Sequence, residues 1–260
     1  MDFIVNFFNV VLYQPLFNLL VLFYQYLPGN DFGIAVIALT VLTRVIFYPL
    51  NLKAIKSQKL LQELQPKIQE IQRKYKADKE KLTKATIELY QKGKVNPLSG
   101  CLPILIQFPI LIALFWVLRK GLRAEEINSL YSFIPHPGSI DPSFLGIINL
   151  AQSCSVKISE TQSLLIWPAI VLVVLTGIFQ FVQTKMITPK AQTKKGKADF
   201  STIMQKQMLY FFPVFTVFIL WNLPSAIALY WLVTSLFSIF QQYLIFRPKS
   251  KTSFAAGQET

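Results

Sequence analysis

The feature that most constrains this chain is a long apolar run from residue 208 to residue 246. A single helix of that length would measure about 58 Å, nearly twice the roughly 30 Å hydrocarbon core of a bilayer. The tripeptide Asn222-Leu223-Pro224 divides the run, and proline lacks the amide hydrogen that a continuing helix needs. The sequence therefore predicts two membrane spans here, 208–223 and 224–246.

Three further apolar stretches are long enough to cross a membrane, which takes about 20 residues. They are 31–50, 98–119 and 164–184. Composition agrees with this interpretation, because only 15% of the residues are charged, against about 25% in a typical soluble domain. We therefore predict an all-α polytopic membrane protein, built on a bundle of five transmembrane helices.

The N-terminal segment 1–30 is also apolar, but a polar stripe runs along it. Gln14, Asn18 and Gln25 are four and seven positions apart, which places them on one face of a helix. A helix with such a stripe suits the plane of the membrane interface. We predict an interfacial amphipathic helix for 1–30, with a sixth spanning helix as the alternative.

The basic residues are concentrated in three segments between or after the spans. Of the 26 Lys and Arg residues, 12 lie in 51–97, six in 185–207 and three in the tail 247–260. By contrast, 1–30 contains neither Lys nor Arg, and in 119–163, which is the loop 120–163 with Arg119 before it, four basic and four acidic residues balance. Because cytoplasmic loops are enriched in Lys and Arg, we predict an external N-terminus and a cytoplasmic C-terminus. This orientation accounts for most of the net charge of +13 without a nucleic-acid partner.

The first cytoplasmic segment, 51–97, has two amphipathic runs separated by Ala77-Asp78. They predict a hairpin of two helices, of about 25 and 14 residues, in which Pro66 kinks or restarts the first helix. The hairpin either only connects spans or docks a partner, since its basic excess suits anionic lipid headgroups, ribosomal RNA or an acidic protein. The candidate docking residues are Lys67, Arg73, Lys74 and Lys76.

Arg44 is a charged side chain inside the first predicted span, about six residues from its cytoplasmic end. Such a group costs about 2.5–3.5 kcal/mol or more in a bilayer, so it should face the bundle interior or water. Past Asp31, the apolar runs offer no Asp or Glu to pair with it. Neutral polar side chains that fall in the same half of the bundle or on the same face are Thr40, Gln107, Gln180 and Gln183. They predict a wet, positively charged groove that opens to the cytoplasm. The alternatives are snorkelling of Arg44 to the interface and separate hydrogen bonds between helices.

Residues for enzyme chemistry are scarce. Cys101 and Cys154 are the only cysteines, they are predicted on opposite membrane faces, and His136 is the only histidine. No span therefore offers a nucleophile with its base, and the chain has no nucleotide-binding Gly-x-x-x-x-Gly-Lys loop. We expect no enzyme activity, no metal and no cofactor.

Four separate motifs resemble those of the YidC-type membrane protein insertases, the family that includes the mitochondrial oxidase-assembly and thylakoid insertases. The resemblance covers about residues 10–247. The motifs are Leu-Thr-Val-Leu-Thr-Arg44-Val-Ile-Phe-Tyr-Pro-Leu, Leu-Gln-Pro66-Lys-Ile-Gln, Asn96-Pro-Leu-Ser-Gly-Cys-Leu-Pro103-Ile-Leu-Ile-Gln107-Phe-Pro109 and Leu223-Pro-Ser-Ala-Ile-Ala-Leu-Tyr230-Trp231. One departure is Ser235, where bacterial relatives often have Asn.

The resemblance implies a five-helix core around a hydrophilic groove that is open to the cytoplasm and the bilayer and closed outside, with a cytoplasmic helical hairpin. It makes Arg44 the groove charge and puts Thr40, Gln183 and Trp231 at groove or substrate-contacting positions. Gln107 and Gln180 are added from the polar pattern alone. A bacterial cytoplasmic membrane is the implied location. The implied partners are nascent membrane proteins, the ribosome and targeting factors, anionic lipids and the Sec translocon.

Two other function classes remain open at this stage. In a small anion channel or transporter, the same charged groove would conduct a solute. In a structural assembly factor, apolar surfaces would hold other spans without moving anything across the bilayer. The insertase hypothesis differs from both, because it requires Arg44 to act on short polar or acidic flanks of the client.

Overall fold

Helices dominate the computed structural model, which describes residues 2–76, 78–93, 96, 102–120, 130–157, 163–188 and 200–246. The α-helices are α1 Asp2–Phe8, α2 Gln14–Tyr26, α3 Phe32–Ile46, α4 Tyr48–Lys74, α5 Lys79–Lys92, α6 Leu102–Lys120, α7 Trp167–Ile187, α8 Phe200–Trp221 and α9 Ser225–Phe246. Three predicted parts lie outside the described residues: the start of the second span with Cys101, residues 189–199 of the basic loop, and the tail 247–260.

Three of the described helical segments are long and apolar enough to cross a membrane. They are Val5–Tyr26, Trp167–Ile187 and Ser225–Phe246, and a fourth results if α3 and α4 count as one bent span. The apolar stretches Gln107–Arg119 of α6 and Gln207–Trp221 of α8 are shorter. A mainly helical membrane protein is thus confirmed, whereas the count of five spans stays a prediction.

The N-terminal segment is helical from α1 to α2 through a π-helical turn, Asn9–Tyr13. This wide turn immediately precedes Pro15, whose missing amide hydrogen disturbs the regular ladder. The polar stripe has partners inside the protein: Asn18 Oδ1 accepts a hydrogen bond from Tyr131 N at 2.6 Å, and Gln25 Nε2 donates to Pro135 O at 2.7 Å. Asn18 and the amide nitrogen of Gln25 are therefore bonded within the protein, and the interfacial placement of 1–30 stays a prediction.

The first predicted span, 31–50, is not one helix. Helix α3 ends at Ile46, and the chain bends by 67° into α4. Phe47 at the bend has a non-helical backbone, and Pro49 lies in the first turn of α4. Proline cannot donate the hydrogen bond that would continue α3, but it is well tolerated at a helix start. Arg44 consequently lies in the last turn of α3.

Two helices, α4 of 27 residues and α5 of 14 residues, occupy most of the predicted hairpin segment and contact each other. Asp78 caps α5, because its Oδ1 accepts a hydrogen bond from Lys81 N at 3.0 Å. Of the two predicted effects of Pro66, a restart is wrong, since α4 continues through it, whereas a kink stays a prediction. Only one amide hydrogen is lost there, and the helix keeps the apolar periodicity that buries Ile55 and Ile68.

The break at Asn222-Leu223-Pro224 lies where the sequence predicts it, between α8 and α9. Helix α8 already begins at Phe200, within the segment 185–207 expected to be a loop, and α7 ends at Ile187, later than expected. Gly177 of α7 faces Val217 of α8 so closely that a Cβ on Gly177 would overlap the valine side chain. Glycine at this position therefore permits the close packing of α7 on α8.

The loop between α6 and α7 contains β-structure, so the expectation of an all-α chain is wrong in this region. Ser143–Phe144 pairs with Ile148–Asn149 (β1 and β2), and Ser155–Lys157 pairs with Ser163–Leu165 (β3 and β4), both antiparallel. The loop packs on one end of the bundle, which we call the loop end. Cys154 N donates to Trp221 O, Ser225 N to Gln152 O and Ala226 N to Leu150 O. These bonds satisfy backbone groups at the helix ends that have no partner within the helix.

Candidate functional site

Arg44 is part of a side-chain network that joins three helices. Its Nη2 donates a hydrogen bond to Oε1 of Gln107 at 2.8 Å, and Gln107 Nε2 donates to the hydroxyl of Tyr230. Arg44 comes from α3, Gln107 from α6 and Tyr230 from α9. Each polar atom that a bundle interior encloses needs a partner, and this network supplies partners to one cation and two neutral groups.

A small pocket surrounds the network, with room for about one water molecule. Its lining residues are Thr43, Arg44, Phe47, Asn51, Gln107, Ile110 and Tyr230. Phe47 and Asn51 belong to the bend and to the first turn of α4, so the pocket lies at the end of the bundle where the hairpin begins. We call this the hairpin end, and the pocket the Arg44 pocket.

No carboxylate of the described residues forms an ion pair with Arg44. The described ion pairs join Asp78 to Lys81, Glu80 to Lys84 and Glu88 to Lys92, all exposed and all at α5. Arg44 is partly buried, and its partner Gln107 is neutral. A guanidinium that is hydrogen-bonded but not neutralised keeps its attraction for an incoming anion.

The other predicted groove residues lie apart from the Arg44 pocket. Thr40 is buried, and its hydroxyl donates to Val36 O within α3. Gln180 is buried on α7, Gln183 is partly buried one turn further on, and Trp231 packs against the hydrophobic core. Of the six predicted groove residues, the structure thus brings together Arg44 and Gln107.

Tyr230, Thr43 and Asn51 line the pocket but were not singled out from the sequence. For Tyr230 a signal existed, because Tyr230, Thr234 and Ser238 recur every four residues and form one polar face of α9. Thr43 follows Thr40 by three positions, and its hydroxyl donates to the Thr40 carbonyl at 2.8 Å. For Asn51 no signal existed, because its place depends on the bend at Phe47.

Beyond Tyr230, polar atoms are buried along α9 and α7 without a hydrogen-bond partner among the described residues. They are Ser235 Oγ, Gln241 Nε2 and Gln242 Oε1 of α9 and Gln180 Oε1 of α7. Each atom of this kind costs about 1–3 kcal/mol when it stays unsatisfied. We call this set the α7–α9 polar row.

The predicted docking residues Lys67, Arg73, Lys74 and Lys76 are all exposed, in the second half of α4 and just beyond it. Lys74 also lies over the ring of Tyr75. In the turn that follows, the hydrogen bond from Lys81 N lowers the pKa of Asp78. That carboxylate is therefore ionised at neutral pH and balances one of the surrounding cations.

The residues that could serve as a nucleophile, a base or a metal ligand do not line the Arg44 pocket. Cys154 is buried in the loop, and burial raises the pKa of its thiol. His136 Nδ1 accepts a hydrogen bond from Gly138 N, as a structural loop residue does. Across the described parts of the chain, His, Cys, Asp and Glu form no cluster of three or more that would suit a metal ion.

Known proteins share both sequence and fold with this chain. Residues 22–252 match the family model described as 60Kd inner membrane protein. A membrane protein insertase YidC of Fusobacterium nucleatum is 36% identical over 238 residues, which are 89% of this chain and 97% of that protein. The same identity extends over 235 residues of a YidC of Geobacter metallireducens, covering 90% of this chain and 37% of the relative.

A solved structure agrees with these relatives. It is described as an active YidC insertase crystal structure with the first transmembrane domain resolved, and it superimposes with a TM-score of 0.55 at 30% identity. The match covers 91% of this chain and 47% of that one. The match therefore covers almost the whole of the Fusobacterium nucleatum protein but only about half of the chain in the solved structure.

Proposed function

This chain belongs to the 60Kd inner membrane protein family, which includes the YidC membrane protein insertases, and from that premise we propose that it inserts nascent membrane proteins into a bacterial cytoplasmic membrane. Its clients are apolar segments with short polar or acidic flanks. Insertion of this kind forms and breaks no covalent bond, so the proposal assigns no catalytic residue and requires no cofactor.

One observation carries the mechanism: Arg44 is partly buried near the end of an apolar helix and is held by the neutral Gln107 at 2.8 Å. A client flank that crosses about 30 Å of hydrocarbon loses its hydration at large cost. In the proposed mechanism, the guanidinium attracts the flank into the inner half of the bundle. The apolar part of the client then partitions into lipid, and the flank is released outward.

The membrane potential favours the release step. It is positive outside, so it draws each negative charge outward with about 2.3 kcal/mol per 100 mV. This direction requires the hairpin end of the bundle to face the cytoplasm. The distribution of Lys and Arg in the sequence supports that orientation, with the N-terminus outside and the C-terminus inside.

The α7–α9 polar row supports a groove that extends beyond the Arg44 pocket. Its buried oxygen and nitrogen atoms have no partner among the described residues. Water or the polar backbone of a client would supply the missing hydrogen bonds and lower the cost of burial. In this proposal Gln180 contacts the client through its amide, while Thr40, Gln183 and Trp231 line the apolar side of its path.

We assign the exposed cations of the hairpin to docking. Lys67, Arg73, Lys74 and Lys76 are accessible and concentrated near the tip of α4. Such a cluster suits ribosomal RNA, acidic targeting factors or anionic headgroups, each of which is negatively charged. The Sec translocon is a further proposed partner.

The proposal is tested by complementation of a bacterium depleted of its own insertase. Wild type, Arg44→Lys and Arg44→Ala are compared on two single-span clients that differ only in having acidic or neutral external flanks. A charged hydrogen bond is worth about 1.5–3 kcal/mol, so we expect Arg44→Ala to lower insertion of the acidic client about tenfold or more. Arg44→Lys retains most activity, because the charge remains. Equal losses for both clients would contradict the electrostatic mechanism.

The same variants separate the two alternatives. Anion efflux from vesicles holding purified protein, dependent on Arg44 and independent of any client, would favour a channel or transporter. Rescue by Arg44→Ala for both clients would favour an assembly factor that acts through apolar contacts.

A further inference from the structure

The tip of the first β-hairpin in the loop presents apolar side chains outward. Leu145, Gly146 and Ile147 connect β1 to β2, and Leu145 and Ile147 are 62% and 71% exposed. The seven residues from Ser143 to Asn149 include no charged side chain. Exposed apolar residues at a turn are unusual in contact with water, where turns are mostly polar.

The backbone of this turn makes the choice of leucine more unusual. Ile147 N donates to Phe144 O at 3.0 Å, and φ is +53° at Leu145 and +66° at Gly146. Positive φ at both central residues defines the turn type for which Asn-Gly is preferred. Leucine is strained in this left-handed region, and its exposed side chain gains little packing in return. An exposed residue in a strained conformation indicates a role other than stabilising the fold.

Contacts set the level of the tip along the bundle. Leu145 N donates to Oδ2 of Asp31 at 2.6 Å, and Oδ1 of the same carboxylate caps α3 by accepting from Ile34 N. The ring of Phe144 lies on Gly33, where a Cβ would overlap it. The tip is therefore held at the first turn of α3, where an apolar helix enters the membrane.

Neighbouring residues mark the same level. Strand β2 contacts α7, whose first residue, Trp167, is 70% exposed. Tryptophan favours the boundary between headgroups and hydrocarbon. Below it, α7 exposes the apolar side chains of Val171, Val174 and Ile178, as a lipid-facing helix does. The β-hairpin therefore lies beside the start of a helix whose exposed side chains are apolar.

We propose that Leu145 and Ile147 insert into the membrane interface at the loop end, so that the loop is anchored in the lipid as well as bonded to the helices. The occupant of this surface is the headgroup and upper acyl region of the leaflet. Burial of two aliphatic side chains there offsets the strain of leucine at the turn. The inference does not depend on the proposed insertase mechanism, because no client takes part.

The test places a fluorophore at the tip of the full chain in vesicles of phosphatidylcholine and phosphatidylglycerol. Ile147→Cys is labelled with an environment-sensitive dye, after Cys101→Ala and Cys154→Ala remove the native thiols. Ser139→Cys, exposed in the same loop, is the matched control. We expect nitroxide on the upper acyl chain to quench the dye at 147 at least about threefold more than at 139, and aqueous iodide to do the reverse. Equal iodide quenching at both sites would overturn the proposal.

A second variant examines Leu145 itself. Leu145→Asn relieves the backbone strain, so the hairpin keeps or gains stability, while the apolar anchor is lost. We expect iodide quenching at 147 to rise towards the value at 139. Unchanged lipid quenching at 147 would refute the role of Leu145. Insertion assays are not needed for either result, so failure here leaves the proposed function standing.

Discussion

The ammonium group of Lys59 lies 3.3 Å from the backbone carbonyl oxygen of Ile245, in the last turn of α9. The same ammonium lies over the ring of Phe246, and Gln62 Nε2 donates to Thr188 O just beyond α7. The first half of α4 therefore crosses the ends of two apolar helices and satisfies carbonyl groups that have no partner within their helices. A cation at a helix C-terminus also interacts favourably with the helix dipole.

Replacement of Lys59 should loosen this contact. Lys59→Met keeps the aliphatic stem but removes the hydrogen bond and the charge, so we expect a loss of about 0.5–1.5 kcal/mol in the docking of α4. Hydrogen exchange of the amides in residues 51–62 should accelerate accordingly. Lys56→Met is the matched control, because Lys56 is exposed on the same helix. Identical exchange in both variants would mean that the Lys59 contact does not hold α4.

Gln107 should affect clients with acidic flanks specifically. Gln107→Leu removes the group that holds Arg44 at 2.8 Å, and the guanidinium is then less well oriented. We expect insertion of the acidic client to fall about threefold to tenfold, corresponding to about 0.6–1.4 kcal/mol, with a smaller loss for the neutral client. Gln183→Leu provides the comparison, since Gln183 does not line the Arg44 pocket. A larger effect of Gln183→Leu would shift the site of action towards α7.

Gly33 should be sensitive to any side chain. A methyl group at this position would overlap the ring of Phe144, so Gly33→Ala displaces the β-hairpin from α3. We expect destabilisation of about 1–3 kcal/mol, measured by thermal unfolding in detergent. Phe144→Ala provides the space again, so the double variant should be less destabilised than the sum of the two single changes. Additive effects would show that the two residues are not in contact.

The thiol of Cys154 should react slowly at alkaline pH. Burial raises its pKa, so the thiol stays protonated in the folded chain at a pH where an unfolded thiol, with a pKa near 8.5, has ionised. The stability that this group contributes is therefore complete below about pH 8.5 and declines as the pH rises towards the folded pKa. In a Cys101→Ala chain, Cys154 is the only thiol. Its alkylation should be much slower than that of the single thiol in a control chain carrying Cys101→Ala, Cys154→Ala and Ser139→Cys. Equal rates at pH 9 would contradict this.

Local sequence signals predicted the elements that depend on neighbouring residues. The break at Asn222-Leu223-Pro224 follows from the missing amide hydrogen of proline, and the two helices of the hairpin follow from apolar periodicity on either side of Ala77-Asp78. The resemblance to the insertases likewise rested on contiguous motifs, and the family is confirmed by relatives at 36% identity. The sequence did not predict the small β-hairpins, because strands of two or three residues are too short to show an alternation of apolar and polar residues.

The sequence by itself determined that this chain enters a membrane, which segments are apolar, and that the apolar run around Arg44 offers no acidic residue after Asp31. Only the tertiary structure decided which groups surround that charge. Gln107 is 63 positions from Arg44 and 123 positions from Tyr230, and helical periodicity indicates which face of a helix is polar without indicating which helix lies opposite. The bend at Phe47 brings Asn51 to the pocket, and α4 then packs across the ends of α7 and α9. Contacts between distant segments thus made the site, because its residues become neighbours only when the bundle packs.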